Sequence, residues 1–410
     1  MTSGADEQLL SRGEAWALVG CQPLAQLSNM ALLPSLGAMR ADLDLSYVEL
    51  GWVVASFGVA RLVVDLPAGN LASRWNPRTL LIAAFALSAG ASTLGVLAAN
   101  AWQIATVRLL IGAGSSVAQA MILAWLVGGA GRVERGRVMA RSEAFFSLSG
   151  LFIPALGGLL AGSLGWRVAF VLGALAALIG LVAIVGGTRS GSAARAVGLS
   201  TPSTPSKDPP NVSWRELRGG GSVLLAAYLA TFVVFYCRNG MLNAVVPVLG
   251  TEALGIEPAR IGLLFSAINA VGIGAVLLGG RWADRFGRYR VMLPALALFT
   301  IAQALLLMVV DPLTYVLVGV MQGVAQFVNP IPTTVMGDAL PPHMRARGIA
   351  VYRTVCDVAI LSAPASMGLA LQVAGFPAAE VVNVSVCLLV LVTCAALYWR
   401  RPKHNRQYST

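Results

Sequence analysis

The chain has 410 residues, 57% of them hydrophobic and only 11% charged, with mean hydropathy +0.75 and a formal net charge of +11. A soluble domain is about 45–50% apolar and about 25% charged, and most of its surface must be wetted, so this composition excludes an ordinary soluble fold and makes lipid the solvent. Nor is the positive charge the footprint of a nucleic-acid binder, because the basic residues fall between apolar runs, the pattern that orients a membrane protein.

In chain order, the first 14 residues include Asp6, Glu7 and Glu14 and lack the basic start and small-residue cleavage site of a signal peptide, so the first apolar run is expected to persist as a helix. Crossing about 30 Å of hydrocarbon takes about 20 apolar residues. Runs of that length fall at 15–37, 48–72, 78–99, 102–128, 138–163 and 166–187, and again at 222–250, 258–283, 289–310, 313–337, 348–373 and 378–399. They are too long and too evenly apolar for barrel strands. Ser200, Thr201, Pro202, Ser203, Thr204 and Pro205, then Pro209 and Pro210, give 188–221 the composition of a linker. The expected architecture is an all-α membrane protein of twelve transmembrane helices in two pseudo-symmetric six-helix bundles. The first bundle covers 1–187, the linker 188–221, the second bundle 222–399 and a tail 400–410.

With the N-terminus inside, the inner segments hold most of the 29 Lys and Arg, and the outer ones carry only Arg40, Arg167 and Arg260. This bias predicts an inner cell membrane protein with both termini and the linker in the cytoplasm. Gly51, Gly69 and Arg74 recur at one common spacing as Gly262, Gly280 and Arg285, a weak internal repeat that favours two parallel halves. Cys21, Cys237, Cys356, Cys387 and Cys394 all lie inside apolar runs and read as packing residues. Phosphate-binding loops, zinc spacings and nucleophile elbows are absent from the sequence. The expectation is therefore a protein that is not an enzyme, with no cofactor and no metal, driven by an ion or substrate gradient. Its partners are the lipid bilayer, a small-molecule substrate and, as coupling ion, the proton. It binds no nucleic acid and is expected to be a monomer.

Gly280-Arg281-Trp282-Ala283-Asp284-Arg285-Phe286-Gly287-Arg288 resembles the loop signature of the major facilitator superfamily, Gly-x-x-x-Asp-Arg-x-Gly-Arg. The first-half copy, Gly69 to Arg74 and Arg78, has Ser73 in place of the acid and Asn76 in place of the second glycine. Arg108 with Gly112 and Gly114 is similar to the family's fourth-helix signature, and Gly165-Trp166-Arg167 to the start of its sixth. Pro154, Gly157 and Gly158 resemble the end of the fifth-helix signature of proton-driven exporters, although Ile153 stands where that signature has glycine. The nearest resemblance is to twelve-helix drug/proton antiporters. It implies alternating access, a cavity lined by helices 1, 2, 4, 5, 7, 8, 10 and 11, a proton-linked role for Arg108, and a gating role for Gly69, Arg74, Arg78, Gly280, Asp284, Arg285, Gly287 and Arg288.

Charges within hydrocarbon cost at least about 2.5–3.5 kcal/mol unless they face protein or water, so they are the first candidates for chemistry. Arg61 with Asp65, and Arg353 with Asp357, stand four apart, which places each pair on one helix face. Each reads either as a proton switch or as a permanently neutralised clamp. Glu143 and Arg108 complete the proton-coupling set. Arg238 has no acid on its own helix and wants an anion, either a group on the substrate or Asp65 or Asp357 across the cavity. The amides Gln26, Asn29, Gln119, Asn239, Asn243, Asn269, Gln322, Gln326 and Asn329, with Phe146 and Tyr236, are the candidate substrate contacts. Three functions fit: proton-coupled export of a small amphipathic compound, proton-coupled uptake of an organic anion, or a non-transporting sensor on the same fold.

Overall fold

The structure is a computed structural model that describes residues 10–129, 135–189, 221–340 and 344–399; within these, the side chains of 65–74, 135–136, 345–347 and 349–350 lie outside the description. Most of the linker and all of the tail read from the sequence therefore fall outside the described residues. No strand occurs among the described residues. The helices are α1 (Arg12–Leu32), α2 (Leu36–Asp42), α3 (Tyr47–Arg74), α4 (Pro77–Val96), α5 (Ala101–Gly129), α6 (Arg135–Leu164), α7 (Val168–Gly187), α8 (Gly221–Tyr236), α9 (Pro258–Phe286), α10 (Arg288–Ala304), α11 (Pro312–Ala325), α12 (Pro330–Ala339) and α13 (Arg345–Trp399).

Every one of the twelve apolar runs lies on helix. Nine helical segments among the described residues are long and apolar enough to span a membrane by themselves. One of these carries the last two runs. It breaks at Ala374 and Gly375, where Gly375 takes φ +72, and Pro377 follows. A positive φ suits glycine, and proline removes a helical hydrogen bond, so the helix breaks there. Two runs fall short of the nine for physical reasons. The first carries Gln22, Pro23, Gln26 and Asn29 inside α1. The tenth is split: Pro330 opens α12 without an N–H to donate, and residues 326–328 tighten into a 3-10 turn between α11 and α12.

The chain forms two compact units, one of residues 1–35 with 56–207 and the other of 36–55 with 208–410. In the first unit, α1 packs on α5, α6 and α7, and α4 packs on α5 and α7. Leu18, Phe85, Trp125 and Ile122 are fully buried at its centre. In the second unit, α8 packs on α13 and α9 on α11. A buried ladder of amides crosses it: Asn383 Nδ2 donates to Gln303 Oε1 at 2.9 Å, Gln303 Nε2 to Gln322 Oε1 at 2.7 Å, and Gln322 Nε2 to the Ala302 carbonyl at 2.7 Å. Hydrogen bonds of this kind tie together helices whose apolar faces gain little by meeting in lipid.

Candidate functional site

The seventh run does not continue as a plain α-helix. After α8 it widens into a π-helix over Cys237–Val245, makes one α turn at Val246–Val248 and widens again over Leu249–Ala253. Asn239 Nδ2 binds the Phe235 carbonyl at 2.8 Å where the backbone ladder changes register. A side chain competing for a carbonyl is a recognised cause of such distortion, and π segments concentrate at functional sites. Arg238 lies in this segment.

The second unit holds a cavity of about 40 Å³ at Arg238. Arg238, Asn243, Asn269, Gln322, Gln326 and Asn329, all singled out in the sequence, line it together with Gln303, Phe265 and Phe299. Gln303 lies on α10, a helix expected to face lipid, and reaches the cavity through its bond to Gln322. Among the described residues no carboxylate lines the cavity, and Arg238 is the one charged side chain there, among amides and two phenyl rings. Asn269 Nδ2 is held by the Phe265 carbonyl at 2.8 Å and Asn243 Nδ2 meets Asn239 Oδ1 at 3.5 Å. The cavity admits a functional group, whereas whole drug-sized ligands occupy about 300–1,000 Å³.

The first unit builds a second polar cluster. Arg108 is 3% exposed; it donates to Asn29 Oδ1 at 3.0 Å and stacks 5.8 Å from the Phe57 ring. Gln26 Nε2 donates to Ser115 Oγ at 2.8 Å. Gln119 is half-buried on the same helix, with its Nε2 buried and without a hydrogen-bond partner. Phe146 is half-buried on α6. Tyr236 turns away from the Arg238 cavity and shares a hydrogen bond of 2.6 Å with Ser366 Oγ.

The predicted coupling residues divide. Arg61 is half-buried on α3, and the Asp65 side chain lies outside the described residues, as do those of Gly69 and Arg74. Glu143 is exposed near the start of α6. Asp357 is 4% exposed whereas Arg353 is exposed, so the two enter different surroundings despite their spacing.

The loop after α9 is a charge cluster. Gly287 takes φ +90, a conformation that a side chain would strain. Arg288 bridges Asp284 at 3.1 Å and Asp338 of α12 at 2.7 Å. Arg285 lies 5.3 Å from the Phe286 ring, and Arg78 in the first-half loop donates to the Val185 carbonyl at 2.8 Å. Both acids of the cluster are mostly exposed, and exposed pairs contribute about 0–1 kcal/mol. Asp338→Asn is therefore expected to shift thermal stability by no more than about 1 kcal/mol while changing transport rate, as a melt and a flux assay on one preparation will test.

A further cluster was not foreseen. Arg40, read from sequence only as an outer charge, pairs with Glu252, and Arg40 Nη1 also donates to the Leu45 carbonyl at 2.9 Å. Tyr47 donates to Glu252 at 2.7 Å. Burial works against the charge on Arg40, but the bond and charge of Glu252 offset it and raise its pKa.

Helices long enough to span a bilayer, with cations and amides held within them, define a membrane transport protein. The chain belongs to the Major Facilitator Superfamily, whose family model matches residues 18–252 and 227–410. It is 27% identical over 288 residues to an MFS-type efflux pump of Mycolicibacterium smegmatis, covering 66% of this chain and 63% of that protein. It is 29% identical over 173 residues to the drug efflux pump JefA of Mycobacterium tuberculosis, covering 41% of this chain and 33% of that one. The chain thus spans less than two thirds of the length of these relatives. In fold it is similar to a bacterial homologue of the lysosomal transporter Spinster, with TM-score 0.77 and 15% identity over 94% of this chain and 96% of that one. A D-xylose–proton symporter gives TM-score 0.75 and 15% identity over 95% and 98%.

Proposed function

We propose that this transporter exports a small amphipathic compound in exchange for protons by alternating access. The observation that carries the direction is the fifth-helix signature. Gly157 of α6 seats on the backbone of Ala31 in α1, so one of the exporter-like residues Pro154, Gly157 and Gly158 joins two helices of one unit. The efflux names of the mycobacterial relatives support the same direction. The bundles read at 1–187 and 222–399 move as the alternating halves of a monomer in the inner membrane, with termini in the cytoplasm. The Phe265 and Phe299 rings take the apolar part of the substrate, and Arg238 with its amides takes the polar part.

A second reading, proton-coupled uptake of an organic anion, is favoured by one observation: among the described residues, the only charged one lining the Arg238 cavity is cationic. A solute screen in inside-out vesicles, with and without an imposed pH gradient, separates the two. Accumulation of amphipathic dyes driven by an acidic interior supports export; accumulation of none argues against it.

Asp357 is the buried acid assigned here to proton coupling. Intramembrane acids of this kind serve proton relays, and Asp357→Asn is expected to cut pH-driven flux to below about a tenth while leaving downhill exchange intact. Unchanged pH-driven flux in proteoliposomes removes Asp357 from the coupling path.

A further inference from the structure

A second charged cavity, in the first unit, shares no lining residue with the Arg238 site. It has a volume of about 350 Å³ and sits between the start of α1, the end of α5 and the start of α6. Arg12, Arg137 and Arg141 line it, with Trp16 and Ser11. Liquid water occupies about 30 Å³ per molecule, so the space holds a group of about ten heavy atoms. All three Arg side chains are exposed, and none is ion-paired among the described residues. Arg141 lies 5.6 Å from the Trp16 ring, and that ring packs edge-on against Phe145 at 5.8 Å.

Among the described residues, no carboxylate lines this cavity. Glu14 is 6% exposed, and its carboxylate accepts from Ser11 N at 3.0 Å, Ser11 Oγ at 3.1 Å and Arg189 N at 3.0 Å. It closes the cap of α1 and is not part of the lining. Glu143 is exposed and also lies outside the lining.

We propose that this cavity binds a phosphate group. Three guanidinium groups supply the forked donors that match phosphate oxygens. A partly exposed Trp beside them suits the boundary between headgroups and hydrocarbon. Basic pockets between transmembrane helices at the cytoplasmic face bind anionic headgroups, and on the charge bias this end of the unit faces the cytoplasm. The phosphate comes either from an anionic lipid headgroup or from free anion, and the two sources are separable.

The test uses the full-length protein in neutral detergent. Its melting temperature is followed against added phosphatidylglycerol, against phosphatidylcholine, and against inorganic phosphate with chloride at equal ionic strength. The native protein is expected to be stabilised by phosphatidylglycerol and not by phosphatidylcholine. In the Arg137→Gln/Arg141→Gln variant the half-saturating lipid concentration is expected to rise about tenfold or more, since each basic residue near such a surface contributes about fivefold. The Arg137→Lys/Arg141→Lys variant, which keeps the charge and loses the fork, should fall between native protein and the Gln variant, which a purely structural role for the two side chains would not produce. Stabilisation by inorganic phosphate alone, lost in the Gln variant, assigns the site to free anion. If the Gln variant does not fold in phosphatidylcholine, Arg12→Gln at the helix start replaces it. An identical phosphatidylglycerol shift in native protein and variant, or no shift with either phosphate source, overturns the proposal.

Discussion

Gly157→Leu is expected to abolish transport and to reduce the yield of folded protein severely. A Cβ at this position would lie 2.6 Å from the Ala31 Cα and 2.8 Å from its carbonyl carbon, and closer still to the carbonyl oxygen. All three are backbone atoms, so no rotamer change relieves the clash and α6 must separate from α1. Inserting bulk into a packed core costs about 1–3 kcal/mol, and more when backbone must move. In a membrane the loss is compounded, because close approach of small residues is a main source of helix association there. Gly90→Leu on α4 is the matched control, since a Cβ there meets nothing within 4 Å. Gel filtration in detergent and dye flux in proteoliposomes read both variants. Native flux through Gly157→Leu would mean that the α1–α6 contact does not support the transport cycle.

That contact shows what a sequence can and cannot reveal. The resemblance of Pro154, Gly157 and Gly158 to an exporter signature was visible in the sequence, but its partner Ala31, on another helix, was not. The same division holds elsewhere. The twelve runs were legible because about twenty apolar residues have few fates other than a bilayer crossing. The break between the last two helices was legible as the gap between the runs 348–373 and 378–399, and the structure places it at Ala374 and Gly375. The convergence of Arg238, Asn243, Asn269, Gln322, Gln326 and Asn329 on one cavity followed from the cost of polar groups in lipid, which leaves a shared wet pocket as their common refuge.

What escaped depended on register or on distant pairing. Hydropathy is indifferent to whether residues 237–245 wind with an α or a π repeat, so the distortion that carries Arg238 was invisible. The four-residue spacing of Arg353 and Asp357 fixes a helix face but not side-chain direction, and the structure buries one and exposes the other. Asp338 and Glu252 lie far along the chain from Arg288 and Arg40, and no local pattern joins them.

Arg238→Gln is expected to weaken binding of substrates with an anionic or strongly accepting group by about 10–100-fold, corresponding to the 1.5–3 kcal/mol of a hydrogen bond to a charged group. The expectation follows from the company the side chain keeps. Among the described residues of the cavity it has amides and phenyl rings but no carboxylate, so a ligand group is the counter-charge that this lining does not supply. Glutamine keeps a donor of similar reach and removes the charge, which separates electrostatics from size. Neutral analogues of the same shape are expected to lose less than about threefold, because they gain little from a full positive charge. Binding isotherms for matched anionic and neutral ligands, on native protein and variant, measure the difference. If both classes weaken equally, Arg238 holds the π segment of the seventh run in shape and the substrate's polar group is seated elsewhere. A selective loss places the recognition of charge at the widened turn, where the strained helix and the cationic cavity coincide.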